Sequence, residues 1–148
     1  MAFYASEKVW KPLGMEADAF WNVDGNGMEK TFCCVNAIAR DYAKLGQFML
    51  QKGKWNGQQL LDSAYVEKMT KPTSLSGGIY GMGIWINQDT PVKYYHFWGF
   101  TGQLIIVLPE YNMVVVRTGK DPEEKRDEKG RSLQARFLAE ECAKLFSK

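Results

Sequence analysis

The sequence predicts an α+β fold: a helical segment followed by a four-stranded antiparallel sheet with a packed C-terminal helix. Apolar residues repeat at helical spacing in the first half of the 148-residue chain. After Gly78 the pattern changes to short runs rich in β-branched and aromatic residues, separated by Asn, Asp, Pro and Gly. A chain of this length fits one domain, residues 1–148, in which 1–72 are mainly helical and 78–148 form the sheet and its helix.

Three helices are predicted in the first half. Residues 3–10 form a short helix that ends before Pro12, and a loop follows from 16 to about 32. Asn36 is expected to cap the main helix, which ends near Gly53. A shorter helix is expected to begin at Asp62 or Ser63 and to end before Pro72. The main helix places its apolar residues on one face: Ile38, Ala39, Tyr42, Leu45, Phe48 and Met49.

Four strands are predicted after Gly78, at residues 80–86, 93–98, 103–108 and 113–117. The third and fourth are apolar on both faces, so both sides of the sheet must be covered. Residues 132–146 supply one cover as an amphipathic helix, and residues 121–131 are expected to be a solvated, mobile connection. The predicted inner face of that helix consists of Leu133, Phe137, Leu138, Cys142, Leu145 and Phe146.

Composition argues against several classes of function. The formal net charge of +2, with lysines scattered among carboxylates, gives no basic face for nucleic acid. No apolar run is long enough for a membrane span. With His96 as the single histidine and no Cys-x-x-Cys pair, neither a metal site nor another cofactor is expected. Cys33, Cys34 and Cys142 do not suggest a disulfide framework and are expected to act as small buried hydrophobes.

The most unusual stretch is 94–103, where aromatic residues crowd a strand end that contains Gly99 and Gly102. Glycine in such a place lets a ligand or another backbone come close. The alternative is an aromatic core cluster with the glycines at a bulge, and the residues alone leave both interpretations open. A Ser-His-Asp arrangement built on His96 is disfavoured, because no serine lies in a Gly-x-Ser-x-Gly turn.

Several phrases along the chain resemble the family of class C β-lactamases, penicillin-binding D-alanyl-D-alanine peptidases and related esterases. They are Pro-Leu-Gly-Met at 12–15, Ala-Arg-Asp-Tyr-Ala at 39–43, Tyr-Gly-Met-Gly-Ile-Trp at 80–85 and Gly-Phe-Thr-Gly-Gln at 99–103. Their order and spacing carry the resemblance, which implies a partial β-lactamase/transpeptidase-like fold. Arg117-Thr118-Gly119 matches a Lys-Thr-Gly triplet literally, but it falls one strand too late and is interpreted as a strand end.

The resemblance also implies a site. The family's third motif, often Lys-Thr-Gly, His-x-Gly or Trp-x-Gly, corresponds here to Phe97-Trp98-Gly99, directly after His96. These four residues would bind substrate, and the backbone N–H of Phe100 would donate to the oxyanion of a tetrahedral intermediate. Phe97 stands where β-lactamases carry a lysine, which argues toward an esterase, amidase or peptidase-like activity on a small amide, ester or peptide. The alternative that Trp98 packs inside the protein stays open.

The sequence contains no Ser-x-x-Lys, the family's nucleophile motif. The chain is therefore expected to be the C-terminal part of a serine hydrolase and to be inactive alone, with self-association or a complementing N-terminal segment covering exposed apolar surface. The alternative function is a non-catalytic module that binds a peptide or cell-wall fragment. The first residues lack the pattern of a secretory signal, and the compartment, bacterial periplasm or cytoplasm, is left open.

Overall fold

The computed structural model describes residues 1–120 and 125–146, and it confirms the α+β class. The helices are α1 (Ala2–Ala5), which continues as a π-helical segment (Ser6–Trp10), α2 (Ala39–Leu50), α3 (Ser63–Met69) and α4 (Leu133–Phe146). The strands are β1 (Phe20–Trp21), β2 (Val35–Asn36), β3 (Lys54–Trp55), β4 (Gln58–Gln59), β5 (Trp85–Asn87), β6 (Tyr94–Gly99), β7 (Gln103–Leu108) and β8 (Met113–Arg117). A 3₁₀ turn, Pro109–Tyr111, joins β7 to β8.

Strands β5 to β8 form the predicted antiparallel sheet in the order β5-β6-β7-β8. Alternate residues of the strands point to opposite faces, which gives the protein two apolar clusters. One face packs on α4 and contains Tyr94, Leu104, Ile106 and Leu108. The other packs on α2 and α3 and contains Ile84, Ile86, Tyr95 and Val107 with Met49 and Val66. The expectation that both faces of the sheet are covered is confirmed.

The main helix begins differently from the prediction. Asn36 lies in β2 and does not cap α2, because its side-chain amide donates to the carbonyl of Phe20 and to Asn22 Oδ1. The backbone N–H of Ala37 donates instead to the hydroxyl of Tyr42, one turn into the helix. The shorter helix α3 matches its prediction, with Asp62 accepting from the N–H groups of the first turn.

The first predicted strand is largely a turn. Only Trp85–Asn87 pairs as β5, and Tyr80 makes an isolated bridge to Trp85. A side chain at Gly81 would bring its Cβ within 2.2 Å of the carbonyl oxygen of Met69, and Gly83 has a φ of +77°. Gly81 and Gly83 therefore form a tight turn against the end of α3, which the apolar alternation of 80–86 does not indicate.

The inner face of α4 was predicted wrongly. Ala135, Ala139 and Ala143 form the buried stripe. Leu138 is partly buried against the same cluster, whereas Phe137 is 61 % exposed and Leu133, Leu145 and Phe146 are also exposed. Small residues at i, i+4 and i+8 let α4 pack on Tyr94, Leu104, Ile106 and Leu108, and Phe137 points outward.

Two other expectations are corrected. Residues 121–124 lie outside the described residues, but 125–131 are not simply solvated, because Arg131 is buried and pairs with Asp89 and Asp127. Cys33 and Cys34 are joined by a disulfide and are half-buried, and Cys142 is a free, half-buried thiol. In residues 1–120 and 125–146, no helix is both long and apolar enough to cross a bilayer.

Candidate active site

The candidate site is the last part of β6. Strand β5 pairs with Tyr94, Tyr95 and His96 and then ends, whereas β7 continues to pair with β6 as far as Gly99. Within the described part of the chain, the edge of β6 from Phe97 to Gly99 that faces away from β7 pairs with no strand. An unpaired strand edge can approach an extended ligand or another segment.

Side chains brace the turn from β6 to β7. The guanidinium of Arg117 donates to the carbonyl of Gly102 at 2.7 Å. The side-chain oxygen of Gln103 accepts from the N–H of Gly119 at 3.0 Å, and its amide nitrogen donates to the carbonyl of the same residue. Thr101 and Gly102 have φ values of +58° and +81°, so both are left-handed. Arg117 is the last residue of β8, as predicted, and its side chain also holds the β6–β7 turn.

Gly99 and Phe100 form the exposed end of the strand. The side chain of Phe100 is 89 % exposed, and Gly99 is also exposed. A Cβ on Gly99 would lie 3.0 Å from the Cβ of Gln103, a spacing tight enough to favour glycine. The main chain of these two residues is therefore at the surface and anchored by the braced turn.

His96 lies in a different environment. Its side chain is 1 % exposed, and neither ring nitrogen has a hydrogen-bond partner among the described residues. Burial lowers the pKa of His96 to about 3, so the ring is neutral at physiological pH. The predicted contact of His96 with substrate stays a prediction, and in this structure the ring reaches no solvent.

Phe97 and Trp98 point to opposite faces of the sheet. Phe97 packs with Tyr95 on the α2 side, and Trp98 packs with Tyr94 on the α4 side. Both are half-buried, so each combines packing with some exposure at the open edge. The alternative in which Trp98 packs inside is thus partly correct, and the structure does not bring the two rings together on one face.

Two neighbours of Trp98 were not predicted from the sequence. The guanidinium of Arg126 lies 4.4 Å from the centre of its ring, and the ring of Trp85 meets it edge to face at 5.1 Å. Arg126 lies in the charged run 121–131, and nothing in that run singles it out from its neighbours. The contact places a cation beside the strand, one residue after Phe97.

Two other features lie outside this site. A cavity of about 500 Å³ is lined by α3 and the following segment, including Lys68, Lys71 and Met82, and by no residue of β6. No group of three or more His, Cys, Asp or Glu side chains in the described ranges is arranged to hold a metal ion.

Comparison with known proteins identifies the family. The β-lactamase family model matches residues 1–139. An uncharacterized protein of Alkalihalophilus pseudofirmus is 25% identical over 131 residues, covering 76% of this chain and 38% of its own length. The chain thus spans well under half of that relative.

Two solved structures share the fold. A Bacillus anthracis protein, described as a candidate 6-aminohexanoate-dimer hydrolase, superposes with a TM-score of 0.71 at 24% identity, over 96% of this chain and 36% of that one. A candidate β-lactamase of Bacteroides dorei superposes with a TM-score of 0.64 at 17% identity, over 94% of this chain and 49% of that one. The superpositions show the fold. The match of the family model to residues 1–139, nearly the whole sequence, shows that this chain belongs to the β-lactamase family.

Proposed function

We propose that this chain supplies the substrate-facing strand of a serine hydrolase that cleaves an amide or ester bond through an acyl-enzyme. The observation that carries the proposal is the exposed main chain of Gly99 and Phe100 at the open end of β6. The side chains of Arg117 and Gln103 brace the turn that follows. A family match over 1–139 supports the reaction class.

The backbone N–H of Phe100 is the proposed oxyanion donor. Attack of a serine on a carbonyl places negative charge on its oxygen, and a donor that is fixed beforehand stabilises that charge without reorganising. Phe97, Trp98 and Gly99 would line the substrate, and His96 would support the strand from within the core and meet substrate only if the ring became accessible. These roles follow from the resemblance together with the exposure of the strand end.

The nucleophile must come from elsewhere. No serine in the sequence has a lysine three residues later, and activation of the family's serine requires that helical spacing. The chain as given is then a catalytically incomplete portion. The reading frame upstream of the codon for Met1 discriminates between the candidates: an in-frame Ser-x-x-Lys and Tyr-x-Asn supports the hydrolase.

The second candidate is a non-catalytic module that binds a peptide or cell-wall fragment. The observation that favours it is the ring of Phe100, which projects almost fully into solvent beside the half-buried Trp98. Exposed aromatic rings commonly anchor ligands. A genuine start signal directly upstream of Met1 would favour this candidate over the hydrolase.

The proposed oxyanion donor is tested in the enzyme completed by its nucleophile-bearing segment. Phe100→Pro removes the N–H, and kcat is expected to fall by about 10²- to 10³-fold, the usual effect of losing one oxyanion donor. Phe100→Ala keeps the N–H and is the matched control, with kcat expected within a few-fold of the parent. Equal losses in both variants, with the fold intact by circular dichroism, would show that the phenyl ring and not the amide is needed.

A further inference from the structure

Two adjacent cysteines close a covalent ring at the end of the β1–β2 pair. Cys33 and Cys34 are joined by a disulfide, and their Cα atoms lie 3.7 Å apart. The ring contains the peptide bond between them, so it constrains the main chain directly before β2. A disulfide between sequence neighbours closes almost no loop and therefore adds little of the chain-entropy stabilisation that a longer loop provides. Its main effect is on local conformation.

The main chain at Cys34 has an unusual conformation. Its φ is +78°, in the left-handed region. Residues with a Cβ occupy this region rarely, and they stay there only where the surroundings hold them. The ring shared with Cys33 is such a constraint. Opening the ring would remove it and would let Cys34 return to the extended conformation that is ordinary for a residue next to a strand.

Hydrogen bonds connect both cysteines to the strand pair. The carbonyl of Cys34 accepts from the backbone N–H of Asn22 at 3.0 Å and from the side-chain amide of Asn36 at 3.1 Å. The carbonyl of Cys33 accepts from the indole N–H of Trp21 at 3.1 Å. Each of the two strands is only two residues long, so these bonds are a large part of what holds the pair together. A change in the cysteine backbone would therefore loosen it.

We propose that Cys33–Cys34 is a reversible redox site, and that a dithiol reductant converts it to two thiols and loosens the β1–β2 pair. Both cysteines are half-buried, and the two residues before them, Thr31 and Phe32, are exposed, so a small dithiol can reach the sulfurs. This inference does not depend on the proposed function.

The exchange proceeds in two steps. One thiolate of the reductant attacks a sulfur of the Cys33–Cys34 disulfide, which breaks that bond, forms a mixed disulfide and frees one cysteine. The second thiol of the reductant then attacks the reductant's own sulfur in the mixed disulfide and frees the other cysteine. Both electrons and both protons come from the dithiol, which leaves as a disulfide, and an oxidised thiol compound reverses the reaction.

Thiol counting tests the redox state. In Cys142→Ser the pair provides the only cysteines of the 148-residue chain. Alkylation after unfolding, followed by mass spectrometry, should label neither cysteine before reduction and both after dithiothreitol. Oxidised glutathione, added once the dithiothreitol is removed, should restore the unlabelled state. Two labelled cysteines without any reductant, or a pair that oxidised glutathione does not close again, would overturn the proposal.

The indole N–H of Trp21 tests the structural consequence by NMR. Its hydrogen exchange, and that of the Asn22 amide, should accelerate by at least about tenfold on reduction. The indole N–H of Trp10 donates to the carbonyl of Ala17 at 2.8 Å, outside the β1–β2 pair, and is the internal control that should not change. Unchanged exchange at Trp21 would overturn the proposal. Equal acceleration at Trp10 would also overturn it, because reduction would then unfold more than the strand pair.

Two double variants separate the covalent bond from the backbone conformation. Cys33→Ser with Cys34→Ser removes both, and Trp21 should exchange as it does in the reduced parent. Cys33→Ser with Cys34→Gly also lacks the bond, but glycine adopts the left-handed conformation readily, so exchange should stay close to that of the oxidised parent. Neither variant should respond to dithiothreitol. Equally fast exchange in both would show that the ring does not act through the conformation of Cys34. If the serine variant does not fold, reduction of the parent provides the same comparison.

Discussion

His96 shows how a buried polar residue links stability to pH. Its ring lies between Tyr94 and Trp98 on the α4 face, with centroids 5.5 and 6.0 Å away, and both nitrogens lack partners among the described residues. Burial holds its pKa at about 3. Between that value and the ordinary 6.5, the unfolded chain binds a proton that the folded protein does not. The contribution of His96 therefore lowers stability as the pH falls through this range and is absent above about pH 7.

Replacing His96 by phenylalanine should remove this dependence. Between about pH 7.5 and about pH 5, the parent should lose about 2 kcal/mol more of its free energy of unfolding than His96→Phe. At neutral pH the variant should be about as stable as the parent or slightly more stable, because two unpaired nitrogens are no longer buried. Urea denaturation at the two pH values measures both differences.

Asp89 does not contribute to the pH dependence between about pH 7.5 and about pH 5. Hydrogen bonds from Lys129 and Arg131 lower the pKa of Asp89 to about 2, so its contribution is lost only as the pH falls below its ordinary 3.8. A parent and a His96→Phe variant with the same pH dependence would mean that the ring is hydrated or partnered in solution.

Individual residues of the site were predictable to different degrees. The glycines of the stretch 94–103 indicated a turn or a close approach, and Gly99 is exposed at a tight contact with Gln103. The burial of His96 was not predictable, because period-two alternation identifies two faces of a strand but not which is covered more deeply. The position of Arg126 beside the Trp98 ring was not predictable either, because the two residues are more than 25 positions apart in the sequence.

At the level of elements, Arg131 connects the start of α4 to the end of β5. Its Nε donates to Asp127 Oδ2 and one terminal nitrogen donates to Asn87 Oδ1, both at 2.7 Å, and it also pairs with Asp89. The side chain of Ser132 then accepts from the N–H of Ala135 in the first turn of the helix. Asp127 and Arg131, in a stretch whose charges suggest a solvated connection, thus anchor the start of α4.

Removing that anchor should destabilise the protein. Arg131→Met removes the side-chain donors to the buried Asn87 oxygen and to Asp127 Oδ2, and the free energy of unfolding should fall by about 2–4 kcal/mol. Lys129→Met is the matched control, because Lys129 pairs only at the exposed side of Asp89, and its effect should be at most about 1 kcal/mol. Thermal or urea denaturation compares them. Equal losses of unfolding free energy in the two variants would show that the exposed Lys129–Asp89 pair stabilises the protein as much as the buried contacts of Arg131 do.

The helices show where reasoning from pattern works and where it does not. The termini of α3 follow from Asp62 and Pro72, since capping and proline act locally. The inner face of α4 could not be predicted, because ranking residues by hydrophobicity favours Phe137 and Leu145 over alanine. How closely a helix approaches a sheet is decided by both surfaces, and the α4 residues buried against Tyr94, Leu104, Ile106 and Leu108 are Ala135, Ala139 and Ala143.

In the whole molecule, the sheet is packed between α4 on one side and α2 and α3 on the other, and this arrangement positions the end of β6. Its class and strand order follow from the sequence, because three of the four strand runs are bounded by clear turn residues. The open stretch at the end of β6 could not be predicted from local pattern, because exposure of an edge depends on what the rest of the chain covers.

If the chain supplies the substrate-facing strand of a serine hydrolase, as proposed, it cannot form an acyl-enzyme without a serine from another segment. The most direct test is hydrolysis of nitrocefin and of a p-nitrophenyl ester by the chain as given. No turnover above background is expected. Robust turnover that a serine-directed phosphonate abolishes would contradict it, because a nucleophile would then lie within these residues.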